Sequence, residues 1–293
     1  MATMKIGFIG TGVMGTGIIQ NFLKAGNEVV VFNRTKAHAD TVIEAGAAWA
    51  ASAREVAAQA DVTISMVGFP KDVEETYFGE NGVFKGAQPG TTVIDMTTST
   101  PSLAAKIAAQ AHQQHLTALD APVSGGDIGA QNGTLTIMVG GDRAAFDKYT
   151  PLLNEIGQRV SYFGAAGKGQ HTKMANQIMI AGTMTGLTEM LVYAQNAGLN
   201  LNDVLSTLEA GGADNWSMEN YVPRILQNDY TPGFFAKHFL KDLRIALQEA
   251  DKMGLDLPAT KQAKQLYEHM VDDEKLGNDG TQGLILTYPK WQK

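Results

Sequence analysis

Residues 5–17 read KIGFIGTGVMGTG, a short apolar segment that runs into a glycine-rich turn. Residues 5–9 are typical of a buried strand, and residues 15–25 of an apolar helix. Between them, Gly10 permits a tight turn, Gly12 lets the backbone approach a pyrophosphate, and Gly15 lets the helix pack closely on the strand. The helix N-terminus offers N–H groups to the phosphates. The turn predicts a dinucleotide site, with a turn that binds nothing as the alternative; its residues are Gly10, Thr11, Gly12, Val13, Met14 and Gly15.

The end of the second predicted strand, residues 28–32, indicates which dinucleotide is bound. NAD sites commonly carry a carboxylate about here, which accepts hydrogen bonds from the ribose 2′-OH. This chain has Asn33, Arg34 and Thr35 instead. A carboxylate would repel a 2′-phosphate, whereas an arginine forms a forked, charge-assisted pair with it. These residues favour NADP over NAD, and a solvated basic loop is the alternative.

Short β-rich runs alternate with helical patterns through the first 165 residues. Such alternation, with nearly continuous apolar strands, is typical of a parallel sheet covered on both faces. The turn at Gly140 and Gly141 leaves mixed or antiparallel pairing open for the last strands. The predicted strands are 5–9, 28–32, 62–67, 92–96, 117–121, 134–139 and 160–163, and the predicted helices are 15–25, 37–45, 53–60, 101–113 and 144–156.

From Lys168 onward the pattern is helical, with breaks near Gly198, Gly211, Pro232, Pro258 and Gly277. A first helix of about 28 residues would span roughly 42 Å at 1.5 Å per residue, which is long enough to pass from one domain into the next. We therefore expect two domains joined by a long helix. Residues 1–165 would form an α/β Rossmann-like dinucleotide-binding domain, and residues 166–293 an all-α C-terminal domain.

Composition narrows the class of partner. The chain has 293 residues, a formal net charge of −7 and 18% charged residues. It therefore lacks the excess of Lys and Arg that binding to nucleic acid or an anionic membrane would require. The absence of cysteine excludes disulfides and thiolate chemistry and fits a reducing compartment. No signal peptide is expected, because the N-terminus lacks a basic region followed by an apolar one. We expect a cytoplasmic protein with a small-molecule partner and no membrane span.

Four motifs occur in order over nearly the whole chain, in residues 10–17, 120–126, 164–177 and 241–246. Together they resemble those of the β-hydroxyacid dehydrogenase family, which includes 3-hydroxyisobutyrate dehydrogenase and tartronate semialdehyde reductase. The resemblance implies an NAD(P)-dependent oxidoreductase that interconverts a small 3-hydroxy acid and its semialdehyde. It also suggests a homo-oligomer, either a dimer or a tetramer. The six histidines show no metal-binding spacing, so no metal is expected.

The second motif contains Ser124, Gly125 and Gly126, just after the predicted strand 117–121. Open α/β sheets bind ligands at the carboxyl ends of their strands, and successive main-chain N–H groups can form an anion-binding concavity. The resemblance implies that this segment binds the substrate carboxylate, and a plain loop is the alternative. A nucleophilic Ser124 is disfavoured, because the G-x-S-x-G elbow would need glycine at Pro122.

The third motif places Lys173 within the first turns of the predicted long helix. The positive end of the helix dipole and partial burial both disfavour a protonated amine, which suits proton transfer. The resemblance implies that Lys173 is the catalytic proton donor and acceptor; an ordinary surface lysine is the alternative. Asn176 and Gln177 follow three and four residues later, so one or both can share its helix face. Which of these two amides contacts the substrate is left open, since many relatives have asparagine at the second position.

The fourth motif contributes Lys241, which matches a family lysine near the nicotinamide and the substrate, and Asp242, which would orient it. Arg244 departs from the small residue that many relatives have. Solvated helix charges are the alternative for this motif.

Three residues end predicted strands at the same edge of the sheet. Thr98 corresponds to a family residue near the nicotinamide end, and Met66 and Val67 are predicted to contact the adenosine side. Simple strand packing is the alternative for these two.

Related activities are also compatible with these motifs. A tartronate, glyoxylate or succinic semialdehyde reductase would use the same residues. Phosphosugar dehydrogenases of the 6-phosphogluconate type usually have longer chains, and imine reductases usually lack the lysine. A non-catalytic NADP-binding protein would not need Ser124, Lys173 and Lys241 together.

Overall fold

The computed structural model describes residues 4–292. Residues 1–3, at the start of the first predicted domain, and residue 293, at the end of the second, lie outside the described residues. The chain forms two compact units, Met1–Lys173 and Met174–Lys293.

The first unit contains one nine-stranded sheet with the strand order β3-β2-β1-β4-β5-β6-β8-β7, and β9 pairs with β8. Pairing is parallel from β3 through β6, whereas β8 runs antiparallel to β6 and β7. The predicted Rossmann-like parallel sheet is therefore confirmed, and its last strands, whose pairing the sequence left open, are mixed. The strands are β1 (Lys5–Ile9), β2 (Glu28–Phe32), β3 (Ala48–Trp49), β4 (Val62–Ser65), β5 (Thr92–Asp95), β6 (Thr117–Asp120), β7 (Val123–Ser124), β8 (Leu135–Gly141) and β9 (Gly157–Tyr162).

Among residues 4–292, seven α-helices connect these strands, and two of them, α4 and α6, were not predicted. In α4, which starts at Pro70, the Asp72 carboxylate accepts the Phe69 N–H at 3.1 Å. α6 is short and begins with glycine, so it carries little helical signal. The helices are α1 (Val13–Lys24), α2 (Asp40–Glu44), α3 (Ala53–Gln59), α4 (Pro70–Phe78), α5 (Pro101–Gln113), α6 (Gly126–Asn132) and α7 (Arg143–Leu153).

The core lies on both faces of the sheet because side chains of a strand alternate between faces. In β1, Ile6 and Phe8 pack in one buried cluster with Ile18 of α1. Ile9 packs in a second cluster with Val56 of α3. Strands covered on both sides read as continuous apolar runs, which is the pattern seen in the sequence.

α1 packs directly on α6. A side chain at Gly17 would meet the Ala130 carbonyl carbon at 2.9 Å, so only glycine allows this approach. Asn21 of α1 donates its amide to the carbonyl oxygens of Gly17, at 3.0 Å, and Ala130, at 2.7 Å. These contacts hold α6, and with it the Ser124 to Gly126 turn that precedes it.

The second unit is built from helices, as predicted. The long helix α8 (Lys168–Asn196) has 29 residues, and the boundary between the units falls within it. Four helices follow, α9 (Leu201–Glu209), α10 (Trp216–Leu226), α11 (Ala236–Lys252) and α12 (Pro258–Glu268). Among residues 4–292, no helix combines the length and apolar character that crossing a membrane requires. The same residues contain no group of three or more His, Asp or Glu side chains arranged to hold a metal.

Candidate active site

The glycine-rich turn lies between β1 and α1. Gly10 has a left-handed φ of 101°, and a side chain there would overlap the Met66 carbonyl oxygen. A side chain at Gly15 would overlap the Gly10 carbonyl oxygen. At Gly12, by contrast, an added Cβ would have no described atom within 4 Å apart from Gly12 itself and its two chain neighbours. Gly10 and Gly15 thus close the turn, whereas Gly12 borders open space through which a pyrophosphate can approach.

Thr11 and Asn33 join this turn to the loop after β2. The Thr11 N–H donates to Asn33 Oδ1 at 3.1 Å, and Asn33 Nδ2 donates to the Thr35 carbonyl at 2.8 Å. The amide of Asn33 therefore positions the turn. The Thr11 hydroxyl is buried and has no hydrogen-bond partner among the described residues. An unsatisfied hydroxyl in a glycine-lined turn fits a dinucleotide, whose phosphates accept hydrogen bonds.

Arg34 extends from the loop after β2 with 89% of its side chain exposed. Its Nη1 lies 3.4 Å from Oδ1 of Asp72 in α4. Exposed ion pairs contribute only about 0–1 kcal/mol. Arg34 can therefore exchange this contact for an anionic ligand at little cost.

The ends of β4 and β5 border the same turn. Met66 donates its N–H to the Ile9 carbonyl at 2.8 Å, so its own carbonyl faces Gly10. Val67 donates its N–H to the Thr97 hydroxyl at 3.0 Å. The structure thus places Met66 beside the glycine turn and links Val67 to the segment that contains half-buried Thr98.

Asp95, the last residue of β5, forms the centre of a buried polar network. Its Oδ1 accepts hydrogen bonds from the Ser65 hydroxyl at 2.8 Å and the Thr97 N–H at 3.1 Å. Burial raises the pKa of Asp95 to about 6, and these hydrogen bonds oppose the rise. Ser65 also contacts the Tyr77 hydroxyl at 3.0 Å. Sequence reasoning missed Asp95, although a lone carboxylate ending an apolar strand was a usable signal.

Asp120, the last residue of β6, anchors the start of α8. Its two carboxylate oxygens accept the N–H groups of Gly167, at 2.8 Å, and Gln170, at 2.9 Å. Burial raises the pKa of Asp120, and these N–H groups counteract the rise. The Gln170 side chain accepts the Ser99 N–H at 2.9 Å and donates to the Thr97 carbonyl at 2.7 Å. The first turn of α8 is thereby fastened to the ends of two neighbouring strands.

The segment Ser124 to Gly126 forms a strand-to-helix turn. Ser124 ends β7 opposite Thr136 of β8, and Gly126 is the first residue of α6. Gly125 and Gly126 have φ angles of 128° and 64°, which L side chains rarely adopt. The turn therefore requires two glycines, which have no side chains of their own to hinder an approach to their N–H groups. Ser124 and Gly126 are half-buried, and Gly125 is exposed.

Lys173 is the sixth residue of α8 and is only 6% exposed. It lies one turn beyond Gln170, which fixes the helix to the sheet. Burial of a lysine is uncommon unless the residue is paired or functional. The location in the first turns of the long helix agrees with the sequence prediction.

A polar chain in the second unit includes the remaining predicted residues. Asn176 Nδ2 donates to Gln177 Oε1, and Gln177 Nε2 donates to Asp242 Oδ2, both at 2.7 Å. Lys241 Nζ lies 3.0 Å from Asp242 Oδ1. Gln177 and Asp242 are buried, whereas Asn176 is half-buried. The Gln177 amide is thus engaged within the protein, and Asn176 is the more accessible of the two amides.

The unusual Arg244 points to surface carboxylates. Its Nη2 lies 3.1 Å from Glu268 and 2.8 Å from Asp272. The departure from the family pattern therefore produces exposed ion pairs and leaves the Lys241–Asp242 pair intact.

Two family models match the chain. Residues 5–164 match the NAD binding domain of 6-phosphogluconate dehydrogenase, and residues 167–287 match the model described as NAD-binding of NADP-dependent 3-hydroxyisobutyrate dehydrogenase. Together the two matches extend over nearly the whole chain.

Individual relatives agree with these matches. The uncharacterized oxidoreductase YkwC of Bacillus subtilis (strain 168) is 49% identical over 98% of this chain and 99% of its own length. The 2-hydroxy-3-oxopropionate reductase of Escherichia coli (strain K12) is 38% identical over 90% of each. The 3-hydroxyisobutyrate dehydrogenase of Mycobacterium tuberculosis, solved with L-serine, has a TM-score of 0.88 and 29% identity over 97% of this chain and 99% of its own. The chain therefore belongs to the β-hydroxyacid dehydrogenase family of NAD(P)-dependent oxidoreductases.

Proposed function

We propose that this protein is an NADP-dependent enzyme that interconverts small 3-hydroxy acids and their semialdehydes, with Lys173 as the proton-transfer group. Residues 1–165 would bind the cofactor, and residues 166–293 would form the helical domain of a cytoplasmic homo-oligomer. The observation that carries the proposal is a buried lysine in the first turns of α8, whose start is fastened to the ends of β5 and β6.

The cofactor would be held by the glycine turn and the loop after β2. The open space at Gly12 and the unsatisfied Thr11 hydroxyl support pyrophosphate binding. Arg34 would pair with a 2′-phosphate, since its contact with Asp72 is long and exposed. When bound, the nicotinamide supplies or accepts the hydride. Thr98, Met66 and Val67 would line the cofactor from the ends of β4 and β5.

The substrate carboxylate would bind at the Ser124 turn. Gly125 and Gly126 have positive φ angles and no side chains that could hinder an anion near their N–H groups, and the Ser124 hydroxyl adds a further donor. Lys241, held by buried Asp242, is proposed as a further cation for the substrate or the cofactor. Such anchoring orients the reacting carbonyl, and orientation contributes a large part of the rate.

Lys173 would give a proton to the carbonyl oxygen during reduction and take it back during oxidation. General acid–base catalysis typically contributes about 10²–10⁴-fold. Asn176 is proposed to contact the substrate, because Gln177 is engaged by Asp242. The support for this choice is that Asn176 is half-buried, whereas Gln177 is fully buried.

The test is an assay of NADPH and NADH oxidation with methylmalonic, tartronic and succinic semialdehydes and with glyoxylate. We expect Lys173→Ala to lower kcat by about 10²–10⁴-fold and to leave cofactor binding unchanged. Lys168→Ala is the matched control, because Lys168 opens the same helix but is exposed. Near-normal turnover of the Lys173→Ala variant would refute the proton-transfer role, and a wild-type chain inert toward every semialdehyde would refute the substrate class.

A further inference from the structure

Gln170 has an unusual set of contacts for a residue without an assigned role. It is fully buried, and both ends of its amide bind main-chain groups of the segment after β5. Oε1 accepts the Ser99 N–H at 2.9 Å, and Nε2 donates to the Thr97 carbonyl at 2.7 Å. A neutral amide can donate and accept at once, as this arrangement requires.

The main chain of the same residue is held by a different strand. The Gln170 N–H donates to Asp120 at the end of β6, at 2.9 Å. One helical residue thus connects α8 to the ends of β5 and β6. Since an α-helix has 3.6 residues per turn, Lys173 lies on the adjacent turn.

We propose that Gln170 is a positioning residue, which sets Lys173 relative to the segment 97–99 where the nicotinamide is proposed to lie. The inference rests on the proposed function. Proton transfer requires hydrogen-bond reach between the lysine and the substrate oxygen. A displacement of about 1 Å can lower the rate by about 10²-fold, so a loose first turn of α8 would reduce kcat.

Gln170→Met removes both side-chain hydrogen bonds at nearly constant volume. The matched control is Gln282→Met, because Gln282 is also fully buried and donates to two carbonyls, of Asp229 and Thr231, each at 3.2 Å, in the second unit. We expect kcat to fall by about 10–100-fold in Gln170→Met, with the NADPH KM within about twofold. The Gln282→Met variant is expected to keep its kcat within about twofold.

Gln170→Glu adds a readout that a purely structural role would not produce. A protonated glutamic acid can donate to the Thr97 carbonyl and accept the Ser99 N–H, whereas the ionised form cannot donate. The groups around it are Asp120 from β6, Asp95 from β5 through Thr97, and His171 and Lys173 on its own helix. The ratio of variant to wild-type kcat is therefore expected to be highest at pH 5.5 and to fall by about tenfold or more toward pH 9.

The outcomes separate the two proposals. If the wild-type chain turns over a semialdehyde and Gln170→Met has the same kcat, the positioning role is refuted and the proposed function is not. A pH-independent kcat ratio for Gln170→Glu also overturns it, and this variant remains informative if Gln170→Met does not fold. A wild-type chain inert toward every semialdehyde refutes the proposed function, and the positioning role falls with it.

Discussion

Asp95→Asn is the most direct test of the buried network at the end of β5. The carboxylate is 4% exposed, and burial raises its pKa from 3.8 to about 6. Asparagine keeps an acceptor oxygen for the Ser65 hydroxyl and the Thr97 N–H, both of which bind one Asp95 oxygen. The substitution therefore removes the ionisation and retains most of the hydrogen bonding.

The size of the effect follows from the pKa. A rise of about two units corresponds to about 3 kcal/mol, at about 1.4 kcal/mol per unit. The folded-state pKa lies above the unfolded one, so the folded chain binds more protons between pH 3.8 and about 6. The contribution of Asp95 to stability is therefore most favourable below this window and becomes less favourable as the pH rises through it. The asparagine variant does not titrate, so its stability relative to wild type should rise by about 2.5 kcal/mol between pH 4 and pH 7, since part of the full effect already lies below pH 4.

The assay is urea unfolding of both proteins at intervals of half a pH unit from 4 to 8. Both proteins carry the other titrating groups, so the contributions of those groups cancel in the difference in unfolding free energy between variant and wild type. Asp40→Asn is the matched control, because Asp40 is exposed and its difference should stay within about 0.5 kcal/mol. A difference between Asp95→Asn and wild type that is the same at pH 4 and pH 7 would refute the buried-charge reasoning.

Further predictions concern the cofactor loop and the helices. Arg34→Ala should weaken the binding of NADPH by about 10–100-fold and that of NADH by less than about twofold, measured by fluorescence titration. Equal losses of affinity for the two cofactors would exclude a role of Arg34 in binding the 2′-phosphate. Gly17→Ala should destabilise the chain by about 1–3 kcal/mol, because the methyl group meets the α6 backbone. Gly182→Ala, in α8 with open space around it, should stabilise the chain by up to about 1 kcal/mol. Urea unfolding that found Gly182→Ala less stable than Gly17→Ala would contradict both predictions. Asn215→Ala should cost about 1 kcal/mol, because it removes the hydrogen bond to Met218 N–H that caps α10; no loss would mean that this cap is unimportant.

The parts of the fold that were predictable depend on local signals. α5 begins and ends as predicted, because Thr100 caps the Leu103 N–H and Pro101 occupies the first helical position. The glycine turn was equally readable, because its glycine spacing follows an apolar strand and opens an apolar helix. Helix α6, one of the two missed helices, lacks such signals. α6 depends on Asn21, which lies 109 residues from Ala130 in the sequence.

The sequence indicated on which elements the predicted site residues lie, but not which contacts they make. Asn33 was assigned to cofactor binding, and the structure shows its amide holding the glycine turn to the loop after β2. Asp120 and Gln170 stood inside recognised motifs, yet their contacts join segments separated by 50 and 71 residues. Periodicity cannot reveal such pairs, because it reports only which face of an element is apolar.

The buried carboxylates of Asp95 and Asp120 lie at the carboxyl edge of the sheet, next to the turns that are proposed to bind ligands. Where a parallel strand stops, N–H groups of the following segments lose their ladder partners and must find others. At β5 and β6 the carboxylates of Asp95 and Asp120 accept those of Thr97, Gly167 and Gln170. An apolar residue at either strand end would leave buried donors unsatisfied, at about 1–3 kcal/mol each, which offsets the cost of burying the carboxylate. The N–H groups at this edge of the sheet thus have hydrogen-bond partners within the protein, and the exposed glycines of the neighbouring turns remain available for ligands.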